Sequence, residues 1–186
     1  MTAGVVIRRV GANRAEPPPA PDLLAGLVDV LVDVLVDSVD GGASVGFVAP
    51  FGRERAEAFW VCVLRDAARG TRIVLIAEDA ATGETLGTVQ VVLATAENQP
   101  HRADISKMLV HRRARRRGVG EQLMRAAEGA ALDVGRTLLV LDTASLDAER
   151  LYGRLGWTRV GEIPNFALWP DGRPAATTIF YKQLGS

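Results

Sequence analysis

The chain predicts an α/β fold, a mixed β-sheet flanked by helices, and three observations predict it. Residues 137–143 contain Leu-Leu-Val-Leu-Asp, an apolar run typical of a strand buried on both faces. Residues 102–110 read as another strand. It passes through an arginine-loaded turn into an amphipathic helix over 118–134, so strand, helix and strand form one crossover. Residues 72–79 and 84–95 are two strands joined at Thr82-Gly83, a hairpin signal. A length of 186 residues fits a single domain with a full-sized core.

The remaining elements follow in order. Residues 5–10 are a short apolar edge strand. Pro17, Pro18, Pro19 and Pro21 make 11–21 an extended connector, and Asp22 is placed to cap the next helix. Over 23–39 the segment Leu-Val-Asp-Val repeats, with Asp29, Asp33 and Asp37 four residues apart. That spacing makes one wet stripe on a helix whose other faces are apolar. Valine favours strands, but the run is too long for one. Residues 41–47 end the helix in a glycine-rich loop. A second helix covers 53–69, with Ala56, Phe59, Trp60, Val63 and Leu64 as its apolar stripe and Gly70 at its end. Cys62 falls in an apolar part of that helix and is expected in the core. Residues 98–100 turn the chain into the 102–110 strand. After the crossover come a short helix at 147–155, closed by Gly156, and strands 157–163 and 177–184 around a turn at 170–172. The order is β–α–α–β–β–β–α–β–α–β–β.

Composition excludes several classes. The 22 basic and 22 acidic residues cancel, so no global charge steers the chain to nucleic acid or to a membrane. One cysteine rules out an internal disulfide and fits a reducing compartment. The start of the chain lacks a long apolar segment, and the most apolar run, 27–36, is interrupted by aspartates; a cytoplasmic protein is expected. Two histidines and one cysteine cannot build a conventional zinc site, so no metal is expected. No Gly-x4-Gly-Lys-Ser/Thr segment is present, and Leu123 stands where a dinucleotide fingerprint needs its third glycine.

The segment 108–124 carries the strongest signal. Twenty of the 22 basic residues are arginine, and five lie within 112–117; Gly118 and Gly120 then open a helix. The first N–H groups of a helix lack intrahelical acceptors and sit at the positive end of its dipole, which makes an anion site. Glycine lets a phosphate approach the backbone, and arginine adds charge-assisted contacts. A solvated basic turn or a nucleic-acid patch is the competing reading. Against it, no aromatic platform is interleaved with the arginines. His111 can touch phosphate, but a surface position is expected.

The run Arg115-Arg116-Arg117-Gly118-Val119-Gly120 after a strand resembles the Q/R-x-x-G-x-G/A signature of GNAT N-acetyltransferases. Residues 148–157, with Tyr152, Gly156 and Trp157, resemble that family's A-x-x-x-Y-x-x-x-G-F segment. The order of elements matches over roughly 70–184. A closer similarity, through 41–47, Leu141-Asp142-Thr143 and the 164–172 tail, is to tabtoxin-resistance acetyltransferases, which acetylate a toxic β-lactam amino acid. The match departs at 16–21, in the arginine enrichment, and at Ser145, where many GNAT members carry Asn.

The resemblance implies a GNAT acyltransferase fold, acetyl-CoA as cofactor, and transfer to the primary amine of a small molecule, with toxin or antibiotic resistance as one outcome. Cofactor contacts are implied for Met108, Leu109, Val110, Arg115, Arg116, Arg117, Gly118, Val119, Gly120, Glu121, Gln122 and Ser145. An amine must lose a proton before it attacks, which suits a carboxylate. Asp104, where the family often carries an acid, and Asp142, beside the expected parting of two strands, both qualify as base or as ammonium site. A backbone N–H near Leu109 or Val110 can hold the carbonyl oxygen as it becomes negative, a task helped by an irregular strand. Tyr152 matches the family's general acid. Ser44, Val45, Phe47, Asn165, Phe166 and Trp169, with Asp142, are the candidate acceptor wall. Two alternatives stay open, a protein N-acetyltransferase and a non-enzymatic module that binds nucleic acid through 112–117. Monomer and homodimer both fit.

Overall fold

In a computed structural model the structure describes residues 4–10 and 21–185, with side chains from residue 26 onward in the second segment. Its elements are β1 (Val5–Val10), α1 (Pro21–Asp40), α2 (Arg53–Ala68), β2 (Arg72–Asp79), β3 (Thr85–Leu93), β4 (Arg102–Val110), α3 (Val119–Asp133), β5 (Leu138–Thr143), α4 (Leu146–Arg154), β6 (Thr158–Leu168) and β7 (Pro174–Gln183). The seven strands form one sheet in the order β1-β2-β3-β4-β5-β7-β6. Only the β4–β5 pair is parallel. The mixed sheet flanked by helices, and the element order, are as expected from the sequence.

Alternation along the strands builds two cores. Ile73 and Leu75 of β2, Val89 and Val91 of β3, and Leu139 and Leu141 of β5 face α3, where Leu123, Met124 and Ala127 are buried. Val74 and Ile76 point the other way, onto Leu31, Leu35, Trp60 and Val63 of α1 and α2. The long valine-rich run is indeed a helix. Its stripe of aspartates stays out of the core and is used: Asp29 and Asp33 both pair with Arg53 of α2, and Asp37 pairs with Arg112. Among the described residues no helix is long and apolar enough to cross a membrane.

Several expectations need correction. The helix is described from Pro21 onward, and the Asp22 side chain expected to cap it lies outside the described residues. The rest of the proposed connector, 11–20, lies outside the described residues. Cys62 is exposed. The buried stripe of α2 is Ala56, Trp60, Val63, Leu64 and Ala67, and its spacing of three and four turns Cys62 to the opposite side. His111 is not a plain surface residue, since its Nδ1 lies 3.6 Å from Asp37 and its side chain is 19% exposed. The last hairpin is longer than expected. β6 continues to Leu168 and β7 starts at Pro174, with pairing resumed at Ala167 and Ala175 after an irregularity at 163–167. Pro164 and the left-handed Asn165 (φ 55°) interrupt that pairing, which hides the strand in the sequence.

Two features of β4 position the site. It pairs with β5 only through Arg102, Ala103 and Asp104, opposite Leu138, Leu139 and Val140. Beyond that point the two strands part. On its other side β4 stays on β3 but carries a bulge: Ser106 faces Gln90 and Leu109 faces Thr88, so residues 107 and 108 oppose one residue of β3. Lys107 sits in the bulge with φ 48°, in the left-handed region. Just beyond, β3 and β4 approach so closely at Gly87 that a Cβ there would lie 2.5 Å from the Leu109 carbonyl oxygen. Gly87→Ala is therefore expected to destabilise the fold by about 1–3 kcal/mol through forced separation of the strands, read as a lower denaturant midpoint. A midpoint equal to wild type would mean that β4 is free to shift.

Candidate active site

The turn between β4 and α3 begins with a 3-10 turn over Arg112–Ala114. Its arginines differ sharply in use. Arg112 donates from its backbone N–H and its Nε to Asp37, each at 2.8 Å. Arg113 donates to the Thr85 carbonyl at 3.2 Å and lies 3.6 Å from Glu84. Arg117 reaches Asp79 at 3.4 Å, and Arg115 Nε points at the Val110 carbonyl at 3.4 Å. Arg116 has left-handed φ of 61° and no ion pair among the described residues. Much of the basic run is thus neutralised within the protein and fixes the turn. Burial raises the Asp37 carboxyl, but the Arg112 backbone and side chain, together with His111, outweigh it and hold the group below the ordinary carboxylate value.

What remains open is backbone. Among the described residues the N–H groups of 116–121 find no protein acceptor, while Gln122 already donates to the Gly118 carbonyl. Gly118 caps α3 with φ 78°, a conformation that a β-branched residue resists. Space beside its Cα is open. Gly120 plays another part: a Cβ there would meet Leu151 of α4 at 3.2 Å, so this glycine sets how closely α3 approaches α4. A ring of free N–H donors at the positive end of a 15-residue helix fits a pyrophosphate. Glu121 binds Arg125 at 3.0 Å. Met108 and Val110 lie beside Gly120, which joins the end of β4 to the start of α3.

The parting of β4 and β5 lies next to this turn. Past Asp104 the edge of β4 that faces β5 has no strand partner among the described residues, so the peptide groups of 105–110 on that edge, around Leu109 and Val110, can bond a ligand. Asp104 stands at the closed end and is held by Arg102 at 2.6 Å. Asp142 stands beyond the parting point on β5 and accepts from the buried Thr177 hydroxyl at 2.7 Å. Tyr152 of α4 is 4% exposed and packs against Trp157 and Phe180, with ring centroids 5.9 and 5.8 Å away. Burial, and secondarily the Asp142 charge, push its phenol well above the ordinary value, so it is a protonated donor at neutral pH. Ser145 is the N-cap of α4 and accepts from the Ala148 N–H at 3.3 Å.

The α1–α2 face carries parts of the expected acceptor wall, and two bonds join its loop to the last hairpin. Ser44 donates to the Leu168 carbonyl at 3.2 Å, and the Ala49 N–H donates to the Pro170 carbonyl at 2.8 Å. These bonds tie the loop after α1 to the β6–β7 hairpin. Phe47 packs on Phe51 and Phe59, with centroids 4.4 and 5.3 Å away, and Val45 covers the same core. Asn165 and Phe166 are exposed on β6, and Phe166 is 53% exposed. The sequence reading missed Lys107. Its Nζ lies 5.9 Å from the Phe47 ring centre and 5.5 Å from that of Phe59. Burial, then Arg72, lower its pKa, and Asp142 opposes them. The only hint in the sequence is compositional, for Lys107 is one of just two lysines.

Residues 70–159 match a family model described as "Acetyltransferase (GNAT) domain". Solved structures share the fold across nearly the whole chain. An N-acetyltransferase from Staphylococcus aureus Mu50 superposes with a TM-score of 0.75 at 14% identity, over 98% of this chain and 99% of that one. A phosphinothricin acetyltransferase from Sinorhizobium meliloti, in complex with acetyl-CoA, gives 0.73 at 16% identity, over 100% and 90%. A ribosomal-protein-alanine N-acetyltransferase from Brucella melitensis gives 0.72 at 19%, over 96% and 99%.

Two outcomes test the division of labour in the turn. Gly118→Val should weaken coenzyme A binding by calorimetry at least about tenfold, because it removes the backbone geometry that aims the donors, whereas Arg112→Ala should weaken it less. Asp37→Asn should instead cost about 1–3 kcal/mol of stability at pH 7, the worth of hydrogen bonds to a charged group. The Asp37 carboxyl is lower in the folded state, so its contribution is full above the unfolded carboxylate value and is lost as the pH falls through the folded one. The stabilities of wild type and variant should begin to approach each other as the pH drops below about 4, the unfolded carboxylate value, and meet only once it is below the lower folded value of Asp37.

Proposed function

We propose that this enzyme, an acetyl-CoA-dependent N-acetyltransferase whose GNAT acetyltransferase domain occupies residues 70–159, transfers the acetyl group to the primary amine of a small molecule. Acetyl-CoA supplies an activated acyl thioester. The observation that carries the reading is the parting of β4 and β5 between two differently built sides. On one side lie the free N–H groups of 116–121, which suit a pyrophosphate. On the other lie the loop after α1 and the β6–β7 hairpin, tied together by the bonds at Ser44 and Ala49. A wall tied down in this way favours a compact acceptor over a peptide chain. The Arg112–Arg117 run, largely engaged with the protein's own carboxylates, lends little support to a nucleic-acid module. Detoxification of an antibiotic or of a β-lactam amino acid is the finer version of the reading, supported by the resemblance of 41–47, 141–143 and 164–172.

The chain's residues divide the chemistry as follows. Peptide N–H groups on the free edge of β4, near Leu109 and Val110, stabilise charge that develops on the carbonyl oxygen. Asp142 receives the acceptor's ammonium proton, directly or through water. It is the better candidate than Asp104, because it lies past the parting point and its charge is felt by both Lys107 and Tyr152, whereas Arg102 engages an Asp104 oxygen. Tyr152 holds its proton for the departing sulfur.

A screen of small amines, including β-lactam amino acids, with released thiol as readout, tests the acceptor class. With an acceptor in hand, Asp142→Asn should lower kcat/KM by about 100-fold or more, the usual size of a general-base contribution, and Asp104→Asn should do less. Tyr152→Phe should slow turnover while leaving acetyl-CoA affinity intact; turnover at the wild-type rate would remove the phenol from the acid role.

A further inference from the structure

Lys107 is a cation without a counterion. Lys182, the only other lysine, donates to Glu128 and to the Leu155 carbonyl at 2.8 and 2.7 Å. Arg72, close enough to repel Lys107 electrostatically, is itself held by Gln90 at 2.5 Å and by Asp66 at 3.4 Å. Among the described residues, no carboxylate lies within ion-pair distance of Lys107, and no protein group accepts a hydrogen bond from it. It sits half-buried, with its Nζ beside the rings of Phe47 and Phe59 and near Gly46.

Its placement is also costly. A lysine at φ 48° occupies a region that residues with a Cβ rarely adopt. The bulge turns Lys107 to the α1–α2 face, where its head meets the aromatic loop. Desolvation works against the charge, and the two rings offset only part of that loss. A partly buried ammonium that lacks its own anion is a binding site for someone else's. The nearest opposing charge is that of Asp142, on the same face and already bonded to Thr177. One positive and one negative group thus lie on the same face of the sheet, close enough to act on each other.

We propose that Lys107 is a specificity-determining residue that pairs with a carboxylate on the acceptor, so that the substrates are amino acids rather than plain alkyl amines. This rests on the small-molecule reading above and sharpens it. The ammonium of such a zwitterion lies toward Asp142 and its carboxylate toward Lys107. Amines without a carboxylate leave Lys107 unpaired, and polycationic ones add charge repulsion, so both are poor acceptors.

The test uses the full chain as wild type, Lys107→Met and Lys107→Arg, with acetyl-CoA and matched probes: amino acids and the amines made by removing their carboxyl groups, such as lysine with cadaverine and 2,4-diaminobutyrate with 1,3-diaminopropane. Released thiol gives the rates, and thermal shift with free coenzyme A and each probe gives binding without turnover. Wild type should favour the carboxylate member at least tenfold in kcat/KM and be stabilised by it alone. Lys107→Met should lose the preference through a raised KM and lose the thermal shift. Lys107→Arg, which keeps the charge, should retain both. A wild type that favours the decarboxylated member, or a Lys107→Met variant that slows both members equally, overturns the assignment. Turnover of no probe by an enzyme that binds acetyl-CoA sinks the small-amine reading itself, and this inference with it.

Discussion

The site depends on how β4 is held. β3 pairs with it along its length and β5 for three residues only. Strand peptide groups left unpaired in a sheet form a row of donors and acceptors that recruits another partner. Here that row lies a few residues from a helix start whose donors are also unsatisfied. One ligand can therefore engage strand edge and helix end together. Contact between Gly120 and Leu151 sets the spacing of α3 and α4, and close approach of Gly87 to Leu109 fixes where the bulge falls.

The arginines contribute less directly than their number suggests. Three of the five in 112–117 lie within 4 Å of a carboxylate of the protein. Their partners, Asp37 of α1, Glu84 before β3 and Asp79 at the end of β2, come from three parts of the chain. Backbone N–H groups of Ala81 and Thr82 add to the hold on Asp79. The turn is thereby made rigid before any anion arrives, which reduces the ordering cost of binding. In the proposed cofactor site, charge serves pre-organisation and the free backbone serves recognition.

The proposed acceptor side follows a different logic. It is assembled from a loop, the start of a helix, a bulge and the far hairpin, and hydrogen bonds from Ser44 and Ala49 join its parts. Its charges come singly. Asp142 and Lys107 stand on one face without pairing to each other, and it is this that the proposed zwitterionic acceptor would use.

Most of the scaffold was legible because it rests on local periodicity. The aspartates at 29, 33 and 37 marked a helical stripe, the 137–143 run marked a buried strand, and Gly118 marked a helix start. Cys62 was misplaced because an apolar neighbourhood in sequence does not say which side of a helix is buried; Trp60 and Val63 decided that by packing on β2. The end of β6 was missed because Pro164 and Asn165 look like loop, while pairing with β7 resumes beyond them.

By itself the sequence determined the order of elements, the glycine-opened helix start that is the candidate anion site, and the candidacy of Asp104, Asp142 and Tyr152, since each is written in short-range pattern and residue chemistry. The tertiary structure alone decided which arginines were engaged with the protein, how the partners of Asp104 differ from those of Asp142, and that Lys107 is turned to the α1–α2 face beside Phe47 and Phe59. Those outcomes depend on strand register and on a bulge, where a shift of one residue reverses the face that a side chain occupies. No local pattern encodes that shift, because it is settled between β3 and β4 only when they pair.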